Sequence, residues 1–228
     1  MSMITSKVVE LWEILGNALG ASGNPQKAKK LLEQVLPIFE KHYGPDHFKV
    51  ARVLVSLGNA YRDLGNPQKA KELLKRALAI QKKHYGPDHF EFARTLANLG
   101  NVYRDLGNPQ KAKELFERVS PIFEKHYGSG HIQVAKLLVS LGISHGDLGD
   151  HEKQKELFEQ ALPILEKHYG PDHPEVATLL INLSDAYSAL GNHKKQKELF
   201  ARASSIFRKH RYSNHPEVAK LLAELDDI

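Results

Sequence analysis

Thirteen histidines in 228 residues are the first side chains here that could do chemistry, and ten of them keep a fixed arrangement. They form the pairs His42/His47, His84/His89, His126/His131, His168/His173 and His210/His215, and each pair follows the last by 42 residues. Imidazoles bind zinc and related metals where three or four ligands converge. Each of these pairs straddles a turn between helices, and no carboxylate recurs with both rings as a plausible ligand set. The reading is structural: one His complements the negative end of a helix, and the other sits in the first turn of the next. Ser, His and Asp are all present, but nothing ties them into a triad. No Gly-rich phosphate loop follows a strand. Neither a metal, nor a cofactor, nor catalysis is expected.

A second recurrence concerns binding. Asn17, Asn59 and Asn101 lie 42 residues apart, and so do Arg52, Arg94 and Lys136. An asparagine amide offers one donor and one acceptor face, which suits a peptide main chain. Asn is also a poor helix former, so its return in the middle of a helix asks for a reason beyond solubility. Arginine can hold a carboxylate through two parallel hydrogen bonds.

The elements that must position these residues follow from the same register. His-Tyr-Gly falls at His42-Tyr43-Gly44, His84-Tyr85-Gly86, His126-Tyr127-Gly128 and His168-Tyr169-Gly170, with a degenerate copy at His210-Arg211-Tyr212. A second marker keeps phase with it: Gly23-Asn24, Gly65-Asn66, Gly107-Asn108, Gly149-Asp150 and Gly191-Asn192. Two markers locked together mean a tandem array, in which each unit buries its apolar faces against its neighbours.

The third unit serves as a sample. Ala93, Leu96, Leu99, Gly100 and Tyr103 recur at helical steps, and Ala112, Leu115, Phe116, Val119, Ile122 and Phe123 form a second apolar stripe. Asp88 with Glu91 three residues on predicts a capping box for the first helix, and Asp172 with Glu175 repeats it. Gly107 ends the first helix, Asn108 caps the second, and Pro109 stands where a missing N–H costs nothing. Each unit is thus a pair of antiparallel helices, A and B. Pro37, Pro121 and Pro163 fall inside B helices and predict local bends. The units run over about 5–44, 46–86, 88–128, 130–170 and 172–212, with a final helix over 215–226, all within one domain over 1–228.

These residues resemble the tetratricopeptide repeat, in the 42-residue variety of kinesin light chains. The family pattern reads Leu54, Leu57, Gly58, Tyr61, Ala70, Leu74, Ala77 in the second unit and Leu96, Leu99, Gly100, Tyr103, Ala112, Phe116, Val119 in the third. Gly86-Pro87-Asp88-His89 and Gly170-Pro171-Asp172-His173 are similar to its inter-repeat phrase. The resemblance implies an all-α, right-handed superhelical solenoid whose concave wall is lined by the A helices. It places Asn17, Arg52, Ser56, Asn59, Arg62, Arg94, Asn98, Asn101, Arg104, Lys136, Ser140 and Asn182 on that wall as a peptide-binding stripe. Thr178, Ile143, Asp185 and the aspartates Asp63, Asp105 and Asp147 accompany them. The two-carboxylate clamp of chaperone-binding members is not matched, because Glu13, Val55 and Ala97 stand where it wants lysine. Two departures stand out: Gln154 and Gln196 replace the small residue of Ala28, Ala70 and Ala112, and His145 replaces a tyrosine. Looser packing is expected in the fourth and fifth units.

The partner implied is an extended, acidic protein segment. Net charge is only +5, from 32 basic and 27 acidic residues mixed along the chain, which argues against nucleic acid. No apolar run approaches the roughly 20 residues of a membrane span. The absence of cysteine suits a reducing, cytoplasmic setting. An alternative function is a self-assembly or regulatory segment of a larger protein, forming a homo-oligomer through its terminal helices. Glu224, Asp226 and Asp227 motivate it, since they crowd the negative end of the last helix.

Overall fold

The computed structural model describes residues 23–209. Among them are nine helices and no strand: α1 Pro25–Tyr43, α2 Phe48–Asp63, α3 Pro67–Tyr85, α4 Phe90–Asp105, α5 Pro109–Tyr127, α6 Ile132–Asp147, α7 His151–Tyr169, α8 Pro174–Ala189 and α9 His193–Lys209. Even-numbered helices are the A helices of their repeats and odd-numbered ones the B helices. Asn17, the A helix of the first repeat and the final helix over 215–226 lie outside the described residues. This is an all-α repeat fold.

The chain divides into two compact units, Met1–Ile122 and Phe123–Ile228. In the first, α1 to α4 each pack on the next, and α2 also touches α4. Its core holds Phe39, Leu54, Leu74 and Phe116 without exposed surface. In the second, α6 to α9 pack in order, and α6 also touches α8. There Phe158, Ala161, Val176, Leu180 and Ala203 anchor the core.

The recurrent Gly-Asn pair does two jobs in two residues. At the end of α2 the N–H of Gly65 donates to the carbonyl of Arg62 at 2.9 Å, and that of Asn66 to the carbonyl of Tyr61 at 2.9 Å. That pairing uses up the last carbonyls of the helix and needs the left-handed φ of +73° that Gly65 adopts. The Asn66 side chain then accepts from the N–H of Lys69 at 3.1 Å and caps α3. Pro67 follows in the first turn, as expected. The same pattern returns at Gly107-Asn108, Gly149-Asp150 and Gly191-Asn192.

The A helices start differently from expectation. Asp88 and Asp172 are not the caps, and no capping box forms. The caps are His47, His89, His131 and His173, whose Nδ1 atoms accept from the N–H two residues on at 3.1–3.2 Å. An accepting Nδ1 places the ring proton on Nε2. Each cap ring lies nearly parallel to the tyrosine that ends the preceding B helix, as with Tyr85 and His89 at 4.4 Å and 13°. Tyr43/His47, Tyr127/His131 and Tyr169/His173 repeat the stack. The stacked ring holds Nδ1 over the helix start, and the aspartate one residue earlier is left outside the turn. His42, His84, His126 and His168 stand edge-on to the same tyrosines in the last turns of the B helices.

The glycine in the middle of the A helix is a matter of clearance. A Cβ on Gly100 would lie 2.6 Å from Cε1 of Phe116, and one on Gly142 would lie 2.5 Å from Cε1 of Phe158. In these two repeats the B-helix ring packs directly against bare backbone. Gln154 of the fourth repeat is accommodated in the same way. Gln154 lies so close over Gly146 that a Cβ there would fall 2.4 Å from its Nε2, and its Oε1 pairs with Nδ1 of His151 at 3.0 Å. Gln196 pairs with His193 at 3.2 Å. Size has moved from the A helix to the B helix, so α6 and α7 pack as closely as α2 and α3. The loosening expected in the fourth and fifth units does not occur between α6 and α7, while α8 and α9 pack somewhat less closely than α2 and α3. His145 is buried, and its Nδ1 lies 2.9 Å from Oδ2 of Asp150, the residue whose other oxygen caps α7. The His and the Asp thus depart together from the Tyr and Asn of the other units. The helices holding Pro37, Pro121 and Pro163 run through without interruption, with each proline on the exposed face.

Candidate functional site

The buried sides of the A helices leave one polar stripe facing outward. On α2, Val50, Val53, Leu54 and Leu57 turn into the core. Arg52 is exposed, while Ser56, Asn59 and Arg62 are half-buried. On α4, Phe92, Leu96 and Leu99 are buried, leaving Arg94 exposed and Asn98, Asn101 and Arg104 half-buried. Ser56 spends its hydroxyl locally, donating to the carbonyl of Arg52 at 3.2 Å.

One contact shows that these two stripes are neighbours. Nε of Arg62 on α2 lies 2.6 Å from Oδ2 of Asp105 on α4. The first unit therefore brings together Arg52, Ser56, Asn59, Arg62, Arg94, Asn98, Asn101 and Arg104 on adjacent helices. Sequence reasoning placed Arg62 and Asp105 on the stripe but missed that they bridge it. A second cation is also engaged, Arg94 with Glu91 at 2.6 Å. The asparagines are not. The amides of Asn59, Asn98 and Asn101 are half-buried and make no hydrogen bond to any other described residue. A half-buried amide without a partner has lost part of its water and gained nothing in return.

The second unit repeats the stripe with different chemistry. Lys136 on α6 is exposed, and its Nζ lies 6.0 Å from the ring centroid of Tyr169. Ser140 is half-buried, and its carbonyl accepts from the Ser144 hydroxyl at 3.0 Å. Ile143 is partly buried against the core. On α8, Thr178 donates to the carbonyl of Pro174 at 3.1 Å, and Asn182 is half-buried. Asp185 reaches solvent, yet burial by the surrounding helices raises its pKa, with no cation or hydrogen bond offsetting it. Among the described residues no three His, Cys, Asp or Glu side chains gather as metal ligands would. No helix among them is long and apolar enough to cross a membrane.

A family model for the tetratricopeptide repeat matches residues 8–83, 76–125, 91–167 and 133–209. The chain belongs to the tetratricopeptide-repeat family. This TPR chain is similar to the nearly identical TPR-like repeats of a Podosopora anserina protein described as a putative kinesin light chain. It is 29% identical to them over 89% of this chain and 96% of that one, with a TM-score of 0.71. BtubC (BKLC) from P. vanneervenii, at 23% identity, covers 92% of this chain and 83% of its own with a TM-score of 0.75, a likeness of fold. No curated protein sequence matches the chain. TPR folds of this kind mediate protein–protein interaction and are typically non-catalytic scaffolds.

Proposed function

We propose that this TPR protein is a non-catalytic adaptor that holds an extended, acidic segment of a partner protein along the polar stripe of α2 and α4. The observation that carries the reading is the set of half-buried amides at Asn59, Asn98 and Asn101 that have no hydrogen-bond partner among the described residues, set beside the Arg62–Asp105 bridge. An extended peptide presents an N–H and a C=O at alternating points, and each asparagine can meet one of each. Acidic side chains of the ligand would exchange with Asp105 at Arg62 and with Glu91 at Arg94. Exchange of one carboxylate for another changes the energy little, so the main-chain grip supplies affinity and the arginines supply selection.

The test is a peptide-array screen for acidic extended segments, followed by titration of the best binder. Asn59→Ala combined with Asn101→Ala is expected to weaken binding at least about tenfold, the loss of roughly 1.4 kcal/mol from two hydrogen-bonding amides. Unchanged affinity in that double variant rejects the reading.

A further inference from the structure

We propose that Asp185 is an anchor, on the second unit, for a cationic side chain of a bound protein segment, a lysine or arginine whose aliphatic stem lies over Ile143 and Ile181. The proposal deepens the reading of the A-helix stripe as a ligand surface and concerns the second unit alone. Asp185 occupies on α8 the repeat position that holds Asn59 on α2, Asn101 on α4 and Ile143 on α6. It faces solvent and makes no hydrogen bond or ion pair with another described residue.

Among the described residues its surroundings supply no counter-charge. One turn away on α8 stand Ile181, Asn182, Ser188 and Ala189, none of them charged. On α6, the helix touching α8, the matching residue is Ile143. The nearest cation of that stripe, Lys136, sits two turns back, by the ring of Tyr169. Burial by the surrounding helices raises the pKa of the Asp185 carboxyl, and no cation among the described residues lowers it. Ile143 and Ile181 are partly buried against the core and give this end of the stripe an apolar ledge. A carboxylate beside such a ledge fits an alkyl ammonium or guanidinium: charge-assisted hydrogen bonds at the tip and aliphatic contact along the stem.

The test uses the whole chain, labelled with 13C at aspartate, and two probes: Nα-acetyl-lysine methylamide and the same molecule acetylated on Nζ. The amine probe is expected to move the Asp185 carboxyl resonance with a dissociation constant in the millimolar range, about tenfold tighter than the acetylated probe. Asp185→Asn is expected to erase that preference and to move the urea unfolding midpoint upward, because an uncompensated charge has been removed. A residue with a purely structural role would move the midpoint down. Asp88→Asn, an exposed aspartate in the turn before α4 and off the stripe, should leave the preference intact. Equal binding of the two probes, a silent Asp185 resonance, or unchanged amine binding by Asp185→Asn overturns the proposal. The probes need no main-chain grip from α2 and α4. Amine binding that survives Asn59→Ala with Asn101→Ala therefore supports the Asp185 anchor even if peptide capture by the first unit fails.

Discussion

Replacing Gly100 by alanine tests the clearance argument made for the third and fourth repeats. In a helix interior the change should gain about 1 kcal/mol from backbone entropy alone. Against that, the new Cβ would meet three atoms of the Phe116 ring at 2.6, 2.9 and 3.0 Å. Phe116 has no exposed surface, and a phenyl ring moves as a plate, so the strain cannot be shed by rotating a chain end. Overpacking of this kind costs about 1–3 kcal/mol, and the geometry places Gly100 at the upper end, for a net loss of about 1–2 kcal/mol. Gly58 is the internal control. There the nearest atoms are Cγ and Cδ2 of Leu74 at 3.0 and 3.1 Å, which can yield by a few tenths of an ångström. Gly58→Ala should then be neutral or stabilising by up to about 1 kcal/mol. Urea unfolding followed by circular dichroism should show midpoints moving apart by roughly 1 M, with slopes unchanged. Phe116→Leu, which reproduces the Leu74 arrangement, should rescue Gly100→Ala by about 1–2 kcal/mol beyond additivity. Equal midpoints for the two alanine variants, or no rescue, would refute the reasoning.

Other predictions follow from single side chains. Gln81 sits 2% exposed in a register that holds Phe39, Phe123, Leu165 and Phe207, and its Oε1 has no hydrogen-bond partner. Gln81→Leu should therefore stabilise the protein by about 1–3 kcal/mol in thermal or urea unfolding. Asp105→Asn releases Arg62 and should tighten binding of an acidic peptide several-fold in calorimetric titration. Stability should fall by no more than about 1 kcal/mol, since the bridge is surface-exposed. Tyr187 donates to Glu159, and that bond, with burial and the nearby carboxylates, pushes its pKa from 10.0 up to about 12. A raised tyrosine pKa contributes stability that is fully present below pH 10 and disappears between about pH 10 and 12. Tyr187→Phe should flatten the alkaline limb of a stability–pH profile in that window and leave the acid limb alone.

Much of the fold was legible because repetition amplifies weak signals. A single Gly-Asn pair is a common turn, but five copies in phase with five tyrosine-bearing junctions leave one architecture. The closing hydrogen bonds at Gly65-Asn66 and its copies are what that marker encodes. The histidine caps were not legible, because caps are read from serine, threonine, aspartate and asparagine, and Asp88 and Asp172 offered themselves. Only the stack on tyrosine makes imidazole the better acceptor there. At Gln154 the sequence showed an intruding side chain, while the relief came from Gly146 on the facing helix, a pairing that needs three-dimensional neighbours. The stripe itself could be drawn from spacings of four, three and four residues, as in Arg52, Ser56, Asn59 and Asp63. Which charges on it neutralise one another could not, because Arg62 and Asp105 meet across two helices.

Residue-resolved NMR of the chain during titration with an acidic extended peptide bears most directly on the proposed role. Side-chain amide signals of Asn59, Asn98 and Asn101 should shift together, with one midpoint, while those of Gln68 and Gln110 on the B helices stay still. Shifts confined to the B helices, or asparagine signals unmoved at saturation, would contradict an adaptor that grips its partner along α2 and α4.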